Sequence, residues 1–232
     1  MLATGSVTYR DVPAVDKVDF TTTKYHLYIT HTGSTPTKPN VNWDHPKQVR
    51  CNTHLTKLGN ESTGCVDNTA PEQPALELPI SEWGAAAATY GWAQHNLPDQ
   101  KGLVGGNPLH QTKDGDDRRE ITCAKFEKKP EILDDSCDEY PFASTKEGGQ
   151  EAALCAEIQP VRQEDGKYKF FEAWNDRPVT YTEPCVRSHV NLIENTNAGG
   201  ECGRYVAKWR LIEGDAFHLD IPDYFDMVVD AT

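Results

Sequence analysis

The sequence predicts an α+β fold, with a compact mixed sheet, few helices and a β-rich N-terminal section. Short segments of alternating apolar and polar residues are typical of strands, and one alanine-rich segment has helical spacing. Seventeen glycines and fifteen prolines indicate many turns between short elements. A chain of 232 residues fits one large domain or a core with an added lobe. We predict a β-rich section over residues 1–75, packed on a core domain over residues 76–232.

The N-terminal section is predicted from alternation and turn residues. Residues 1–23 are expected to be a polar lead-in, and a strand is expected from about Tyr25, where apolar and polar side chains alternate. A loop rich in Thr, Pro, Gly and Asn is expected over residues 32–46. Further along, an Asn-Glu-Ser sequon at Asn60 is expected to be exposed.

The core domain begins with the clearest helix of the chain. Ser81 is a typical N-cap residue and Pro98 a helix terminator, so we predict a helix over residues 81–96. Alternation and turn residues predict the remaining elements. These are strands over 151–161, 168–174, 188–193 and 216–221, a loop over 195–200, and a helix over 201–211.

Seven cysteines indicate an oxidising compartment, and six of them fall into short-range pairs. The predicted disulfides are Cys51 with Cys65, Cys123 with Cys137, and Cys155 with Cys185. No Cys-x-x-Cys occurs, which argues against a structural zinc site. Because disulfides form in oxidising compartments, the predicted location is extracellular. Any signal peptide is expected to have been removed. Cys202 is left as a buried free thiol or as the site of an intermolecular bridge.

Charge and hydropathy limit the classes of function. The net charge is −13, with 36 acidic residues against 23 Lys and Arg. Proteins that bind nucleic acid tightly usually have a basic surface, so this charge argues against tight, static binding to a polyanion. No apolar run approaches the ~20 residues of a spanning helix, so the sequence does not predict an integral membrane protein.

An acidic segment at residues 134–149 is the strongest indication of chemistry. It holds five carboxylates around one cysteine and a Tyr-Pro turn. Adjacent carboxylates are costly to ionise together unless a positive group lies among them. A hard divalent cation with oxygen ligands would meet this need. From the residues alone, a metal or acid–base site and a solvated acidic loop both remain open.

The run over residues 137–149 reads Cys-Asp-Glu-Tyr-Pro-Phe-Ala-Ser-Thr-Lys-Glu-Gly-Gly. This run resembles the signature of the NucA/NucB family of secreted deoxyribonucleases, especially the larger, disulfide-bearing bacterial type. Other segments are similar to the same family, and the resemblance extends from about Cys51 to Ile221. These segments are 84–94, 117–120, 185–190, 194–200, 203–205 and 213–217.

The resemblance implies a divalent-metal-dependent endonuclease with a ββα-metal-like site, which hydrolyses DNA with little sequence specificity. It implies Asp138 as the general base or a metal ligand, and Asn195 as a ligand to Mg²⁺ or Mn²⁺ through its amide oxygen. DNA is then a transient substrate, and the protein is expected to be a monomer, or a dimer if Cys202 forms a bridge. Further candidates are Glu139 and Glu147 near the metal, and Arg119 and Arg187 as clamps on the phosphate.

Each assignment has a structural alternative. Asp138 could cap a turn, Asn195 could form one, and His189 is more typical of a strand histidine than of a proton donor. Arg119 and Arg187 could instead form ion pairs. For the whole chain, the alternative is a catalytically inactive, disulfide-stabilised extracellular binding module, while the motif argues against a glycosidase acid pair.

A local basic groove is expected to offset the acidic net charge. Steep inhibition by salt would then follow, because phosphate contacts release counterions. The residues expected in the groove are Arg118, Arg119, Arg187, Arg204, Lys208 and Arg210.

Overall fold

Strands and helices both occur in the chain, so the predicted α+β class is confirmed. The structure, a computed structural model, describes residues 8, 10–14, 17–27, 31–33, 41–53, 63–67, 75–174 and 177–229. The sequon at Asn60 lies outside these residues. Contacts divide the chain into two units, each described by itself below. One unit comprises Met1–Gln73 and Ala207–Arg210, and the other comprises Pro74–Val206 and Leu211–Thr232.

The first unit contains a three-stranded antiparallel sheet in which the second strand is central. Its strands are β1 (Val18–Leu27), β2 (Val41–Asn52) and β3 (Gly64–Asp67). The lead-in and the loop predicted from composition therefore both overlap with strands. Three consecutive threonines at 21–23 interrupt the apolar alternation of β1, so only its end, from about Tyr25, was predicted. Pairing with β2 supplies the hydrogen bonds of the whole strand.

The main sheet of the second unit has four strands in the order β6-β9-β7-β8. These are β6 (Asp135–Tyr140), β7 (Ala156–Arg162), β8 (Tyr168–Glu172) and β9 (Val186–Asn191). The β7–β9 pair is parallel and the other two pairs are antiparallel. Strand β6 was not predicted, because acidic residues are rare in strands and its sequence was interpreted as a loop.

Two short strand pairs and a short helix complete the second unit. Strand β4 (Leu76–Glu77) pairs in parallel with β11 (Leu219–Asp220), and β5 (Leu109–His110) pairs antiparallel with β10 (Ala216–Phe217). Helix α4 (Tyr224–Met227) follows. Among the described residues, no helix is both long and apolar enough to cross a membrane.

Helix α1 (Ile80–Asn96) confirms the predicted helix to within one residue, but its N-terminal cap is different. The carboxylate of Asp223, and not Ser81, accepts hydrogen bonds from the first two backbone N–H groups, at 2.7 and 2.9 Å. Gly84 interrupts the helix with a φ of 58°. The carboxylate of Glu194 caps the following turn at 2.7 Å and occupies the space that a Cβ at Gly84 would need.

Helix α3 (Leu192–Lys208) begins well before the helix predicted over residues 201–211, and it replaces the loop predicted over 195–200. The Asn- and Gly-rich sequence is typical of a turn. Tertiary packing overrides this propensity, because one helical face is buried. That face consists of Asn195, Ala198, Cys202 and Tyr205. Helix α2 (Gly115–Thr122) was also not predicted.

The three predicted disulfides are confirmed: Cys51–Cys65, Cys123–Cys137 and Cys155–Cys185. The second of them joins the end of α2 to the middle of β6. Cys202 is a free, buried thiol, and burial raises its pKa to about 12. A buried, protonated thiol fits the predicted free cysteine and does not favour a bridge to a second chain.

Candidate functional site

Asp138 is the most enclosed carboxylate of the predicted site. It lies on β6 and is 2% exposed. Its Oδ1 accepts hydrogen bonds from the Tyr90 hydroxyl of α1 and from the backbone N–H of Glu139, both at 3.0 Å. Its Oδ2 is buried, and no residue in the described part of the chain bonds to it. One oxygen is therefore fixed by the fold, while the other is enclosed and has no hydrogen-bond partner among the described residues.

Glu139 faces the other side of the sheet from Asp138, because successive strand side chains alternate. Its Oε1 accepts a hydrogen bond from Nε of Arg119 on α2, at 3.1 Å. The Glu139 side chain is 3% exposed and that of Arg119 is 56% exposed. The guanidinium therefore extends from a buried carboxylate to solvent. Within the described residues its other N–H groups make no bond, so they can reach a bound anion.

Burial controls the ionisation of this cluster. The loss of hydration raises the pKa of Asp138 well above its usual range, and the negative charge of Glu139 makes a smaller contribution in the same direction. Tyr90 and Arg119 oppose this shift. Burial also raises the pKa of Glu139, against the effect of Arg119. The negative charge of Glu139 in turn raises the pKa of Arg119. Carboxylates with raised pKa values beside an exposed cation are typical of catalytic sites, although structural ion pairs also shift pKa values.

Asn195 lies on the first turns of α3 and is held against β6. It is 6% exposed, and its Nδ2 donates to the Ser136 hydroxyl at 3.1 Å and to the Cys137 carbonyl at 2.9 Å. These two acceptors determine which way the amide points. The amide oxygen accepts no hydrogen bond within the described part of the chain. The amide oxygen of Asn195 is therefore available as a ligand, close to the Cys137 carbonyl.

A cleft of about 270 Å³ lies between α2 and α3. Its lining residues are Arg119, Leu192, Asn195, Thr196 and Gly199. Two of the residues predicted from the sequence, Arg119 and Asn195, thus meet at one cavity, and both bond to β6 within two residues of Asp138. The structure thus places Arg119, Asp138, Glu139 and Asn195 around the edge strand β6, with Arg119 and Asn195 in the lining of the cleft and Asp138 and Glu139 on the strand itself.

Arg187 is placed elsewhere, inside an ionic network on the sheet. Its guanidinium binds the Glu157 carboxylate, with Nε at 2.6 Å, and donates to the Ala124 carbonyl at 2.9 Å. It is buried, and this placement fits the ion-pair alternative better than a phosphate clamp. Within the described residues the guanidinium also lies over the Trp174 ring.

His189 belongs to the same network and fits the predicted strand histidine. Its Nδ1 meets Asp135 at 2.7 Å and its Nε2 meets Glu157 at 3.1 Å. Burial by itself would raise the pKa of Glu157, but hydrogen bonds from His189 and Arg187 lower it below its usual value. The network therefore joins β6, β7 and β9 next to the site, and none of its residues lines the cleft.

Glu147 is also occupied away from the cluster. Its two oxygens bind Nδ1 and the backbone N–H of His110, at 2.7 and 2.9 Å. Arg118 donates to the carbonyls of Lys146 and Gly148 and holds the same loop. Both residues thus order the segment after β6, and each oxygen of Glu147 already accepts one hydrogen bond from His110.

One further group of potential ligands does not form a metal site. Cys123, Cys137 and Glu139 each present a ligand atom within 4.8 Å of the others. The two sulfur atoms are joined in a disulfide, so neither is a thiolate that could bind an ion. Instead, the disulfide ties β6 to the end of α2, two residues before Glu139.

Tyr90 is the site residue that the sequence did not reveal. Its spacing in α1 indicates core packing, and its ring does pack against Tyr140 and Phe142. Only the tertiary structure shows that its hydroxyl meets Asp138, which is 48 residues away in sequence. Helical periodicity identifies the buried face of a helix, but it does not identify the partner of a hydroxyl on that face.

The segment that carries most of this cluster has a known family. Residues 107–171 match the family Deoxyribonuclease NucA/NucB. This match confirms the NucA/NucB resemblance over a shorter range than the motifs indicated. The NucA/NucB segment contains Arg119, Asp138 and Glu139, whereas Tyr90 and Asn195 lie outside it. No curated protein and no solved structure matches the chain. The family match supports a deoxyribonuclease function.

Proposed function

We propose that the chain is a secreted, divalent-metal-dependent endonuclease that hydrolyses DNA with little sequence specificity, at the ββα-metal-like site that the resemblance implies. The observation that carries this proposal is the state of Asp138 within the NucA/NucB segment. One of its oxygens is fixed by Tyr90, and the other is buried without a partner among the described residues. Such a buried, unpaired polar atom costs stability, and a catalytic role is one reason for a fold to retain it.

The oxygen atoms left available fit a hard divalent cation. The amide oxygen of Asn195 is unbonded within the described residues, and Mg²⁺ and Mn²⁺ prefer oxygen ligands. Oδ2 of Asp138, which is also unbonded there, is left to act as the base. Glu147 is the less favoured ligand, since each of its oxygens already accepts a hydrogen bond from His110. When bound, the ion would supply Lewis acidity to the phosphate and make water easier to deprotonate.

The side chains of the cluster have distinct proposed roles. Oδ2 of Asp138 accepts a proton from the water as the water oxygen bonds to phosphorus. The bond from phosphorus to the leaving oxygen then breaks, and that oxygen takes a proton from solvent. Tyr90 holds Oδ1 and so fixes the direction of the carboxylate. The free N–H groups of Arg119 bind the scissile phosphate and stabilise the charge that builds on its oxygens. Glu139 holds Nε of Arg119 and thereby positions the guanidinium.

Two features support the remaining parts of the proposal. Reading a base sequence requires several donors and acceptors matched to base edges. Arg119 and Asn195 in the lining of the cleft already have proposed roles, which leaves Thr196 as the other polar side chain of that lining. This supports low sequence specificity. Three disulfides are typical of proteins in oxidising compartments, which supports secretion.

The test is cleavage of plasmid DNA with Mg²⁺ or Mn²⁺, with EDTA, and with the variant Asp138→Asn. We expect EDTA to abolish cleavage and the variant to lose at least about 100-fold in rate, the usual contribution of a general base. Asp134→Asn is the matched control, because it makes the same change at an exposed position of the same segment. Cleavage in EDTA, or full activity of Asp138→Asn, contradicts the proposal. Binding of DNA without cleavage by any divalent ion would favour the binding module.

A further inference from the structure

Three large apolar side chains are exposed at one corner of the second unit. Leu192 is 51% exposed, Ile193 is 65% exposed and Leu133 is 77% exposed. Leu192 also forms part of the wall of the cleft. Single exposed leucines are common on protein surfaces, but neighbouring ones beside a cleft indicate a binding surface.

Hydrogen bonds hold these three residues, here called the apolar corner, at the junction of β9 and α3. The Leu133 carbonyl accepts a bond from Nδ2 of Asn191 at 2.7 Å, and the Asp134 carbonyl accepts one from the N–H of Leu192 at 2.9 Å. The loop that carries Leu133 is therefore joined to the start of α3. The apolar corner is a fixed part of the fold next to the cleft.

The opposite wall of the cleft indicates what the apolar corner binds. Arg119 lines that wall with an exposed guanidinium, which suits a phosphate. A nucleic acid strand alternates charged phosphates with the weakly polar faces of sugars and bases. A strand with one phosphate on Arg119 would therefore place a neighbouring sugar or base against Leu192. Leucine and isoleucine side chains make such contacts in other proteins that bind nucleic acids.

We propose that Leu133, Leu192 and Ile193 form a nucleotide-contact surface, which binds the sugar and base faces of the substrate strand beside the scissile phosphate. This inference rests on the proposed function and names how the same cleft holds its substrate. The contact adds affinity that does not depend on charge, which an acidic protein needs in order to bind a polyanion. It acts on substrate binding and leaves the chemical step to the buried cluster.

The test compares the double variant Leu192→Ser/Ile193→Ser with the wild type and with Leu154→Ser. Leu154 is a matched control, since it is 49% exposed and does not line the cleft. Three readouts are used: KM and kcat on a DNA oligonucleotide, the Kd of the fluorescein-labelled oligonucleotide in EDTA, and hydrolysis of bis(p-nitrophenyl) phosphate. We expect the double variant to raise KM and Kd about tenfold, because it removes the apolar surface that two side chains would bury against the strand. We expect kcat and the hydrolysis of the small diester to stay within about twofold of the wild type, as they should in Leu154→Ser.

The readouts separate this inference from the proposed function. Unchanged KM and Kd in the double variant overturn the nucleotide-contact surface, whatever the activity. Equal losses on the oligonucleotide and on bis(p-nitrophenyl) phosphate also overturn it, because the small diester lacks the neighbouring nucleotides. In a third outcome, the wild-type protein hydrolyses neither substrate, yet the double variant binds the oligonucleotide more weakly than the wild type does. This outcome contradicts the nuclease proposal and supports the nucleotide-contact surface. If the double variant keeps its Kd for the oligonucleotide but no longer adsorbs to phosphatidylglycerol vesicles, the nucleotide-contact surface is overturned. The apolar corner then binds a membrane instead.

Discussion

At the scale of single residues, the candidate site depends on how Asp138 is bonded. Tyr90 and a backbone N–H satisfy Oδ1, while Oδ2 is enclosed without a partner among the described residues. A fold pays in stability for a carboxylate held in this way, since burial disfavours its ionised form. Functional sites commonly carry such a cost, and replacing the residue then stabilises the protein while removing its activity.

The first prediction concerns this stability cost. The folded protein holds the Asp138 proton to a higher pH than the unfolded chain does, because the folded pKa is raised. Stability therefore falls as the pH rises from the unfolded pKa, about 4, through the folded pKa. In EDTA at pH 8 we expect the melting temperature of Asp138→Asn to lie a few degrees above that of the wild type. This difference in melting temperature should disappear as the pH is lowered toward 4. Thermal unfolding followed by circular dichroism measures this, and a lower melting temperature for the variant at pH 8 contradicts it.

At the scale of secondary-structure elements, a disulfide connects the two elements that carry the acid and the guanidinium. Cys123 follows directly after α2, and Cys137 lies on β6 next to Asp138. Arg119 precedes Cys123 by one helical turn, so the disulfide and the Arg119–Glu139 hydrogen bond form two links between the same elements. The disulfide is thus expected to align the site as well as to stabilise the fold.

The second prediction separates these two effects. We expect Cys123→Ala/Cys137→Ala to lose roughly 3 kcal/mol of stability, and also to lose about tenfold in kcat per folded molecule as Arg119 becomes misaligned. Cys155→Ala/Cys185→Ala is the control, because it removes a disulfide that links β7 and β9 and touches neither Arg119 nor Glu139. It should lose similar stability and keep its kcat. If both variants keep kcat at a temperature where they are folded, the disulfide has no part in alignment.

At the scale of the whole molecule, four of the six cations expected in the basic groove are bonded to other groups of the protein, and Lys208 lies over the Trp209 ring. Arg187 and Arg210 are buried, and Arg118 is bound to two backbone carbonyls. Arg204 forms an exposed ion pair with Glu201. Arg119 remains as the cation that lines the cleft. Affinity for DNA should therefore come from few phosphate contacts and from the apolar corner.

The third prediction follows from this count of phosphate contacts. Six phosphate contacts would give a slope of about −5 when the logarithm of the observed DNA association constant is plotted against the logarithm of salt concentration. With few cations facing the cleft, we expect a slope of about −2 or shallower. The steep inhibition expected from the sequence is thus replaced by a moderate one. Oligonucleotide Kd measured from about 50 to 200 mM NaCl tests this, and Arg119→Gln should reduce the slope by about one. A slope near −5 would show that further cations reach the substrate.

Local chemistry was sufficient to predict several features of this protein. The α+β class, helix α1, the three disulfides and the motif around Asp138 all follow from nearby residues: periodicity, cysteine spacing and a continuous run of side chains. Strand β6 and the early start of α3 did not follow, because acidic and Gly-rich sequences have the local propensities of loops. Their structure depends on partners far away in sequence.

The same distinction applies within the candidate site. The sequence identified Asp138 and Asn195 as candidates through their motifs, but it could not distinguish Arg119, whose guanidinium reaches the cleft, from Arg187, whose guanidinium is buried against Glu157. Nor could it show that the Tyr90 hydroxyl fixes Asp138. Residue type and spacing determine which groups are able to do chemistry. The packing of α1, α2 and α3 around β6 determines which of them meet, since burial and hydrogen-bond partners are set by contacts between distant parts of the chain.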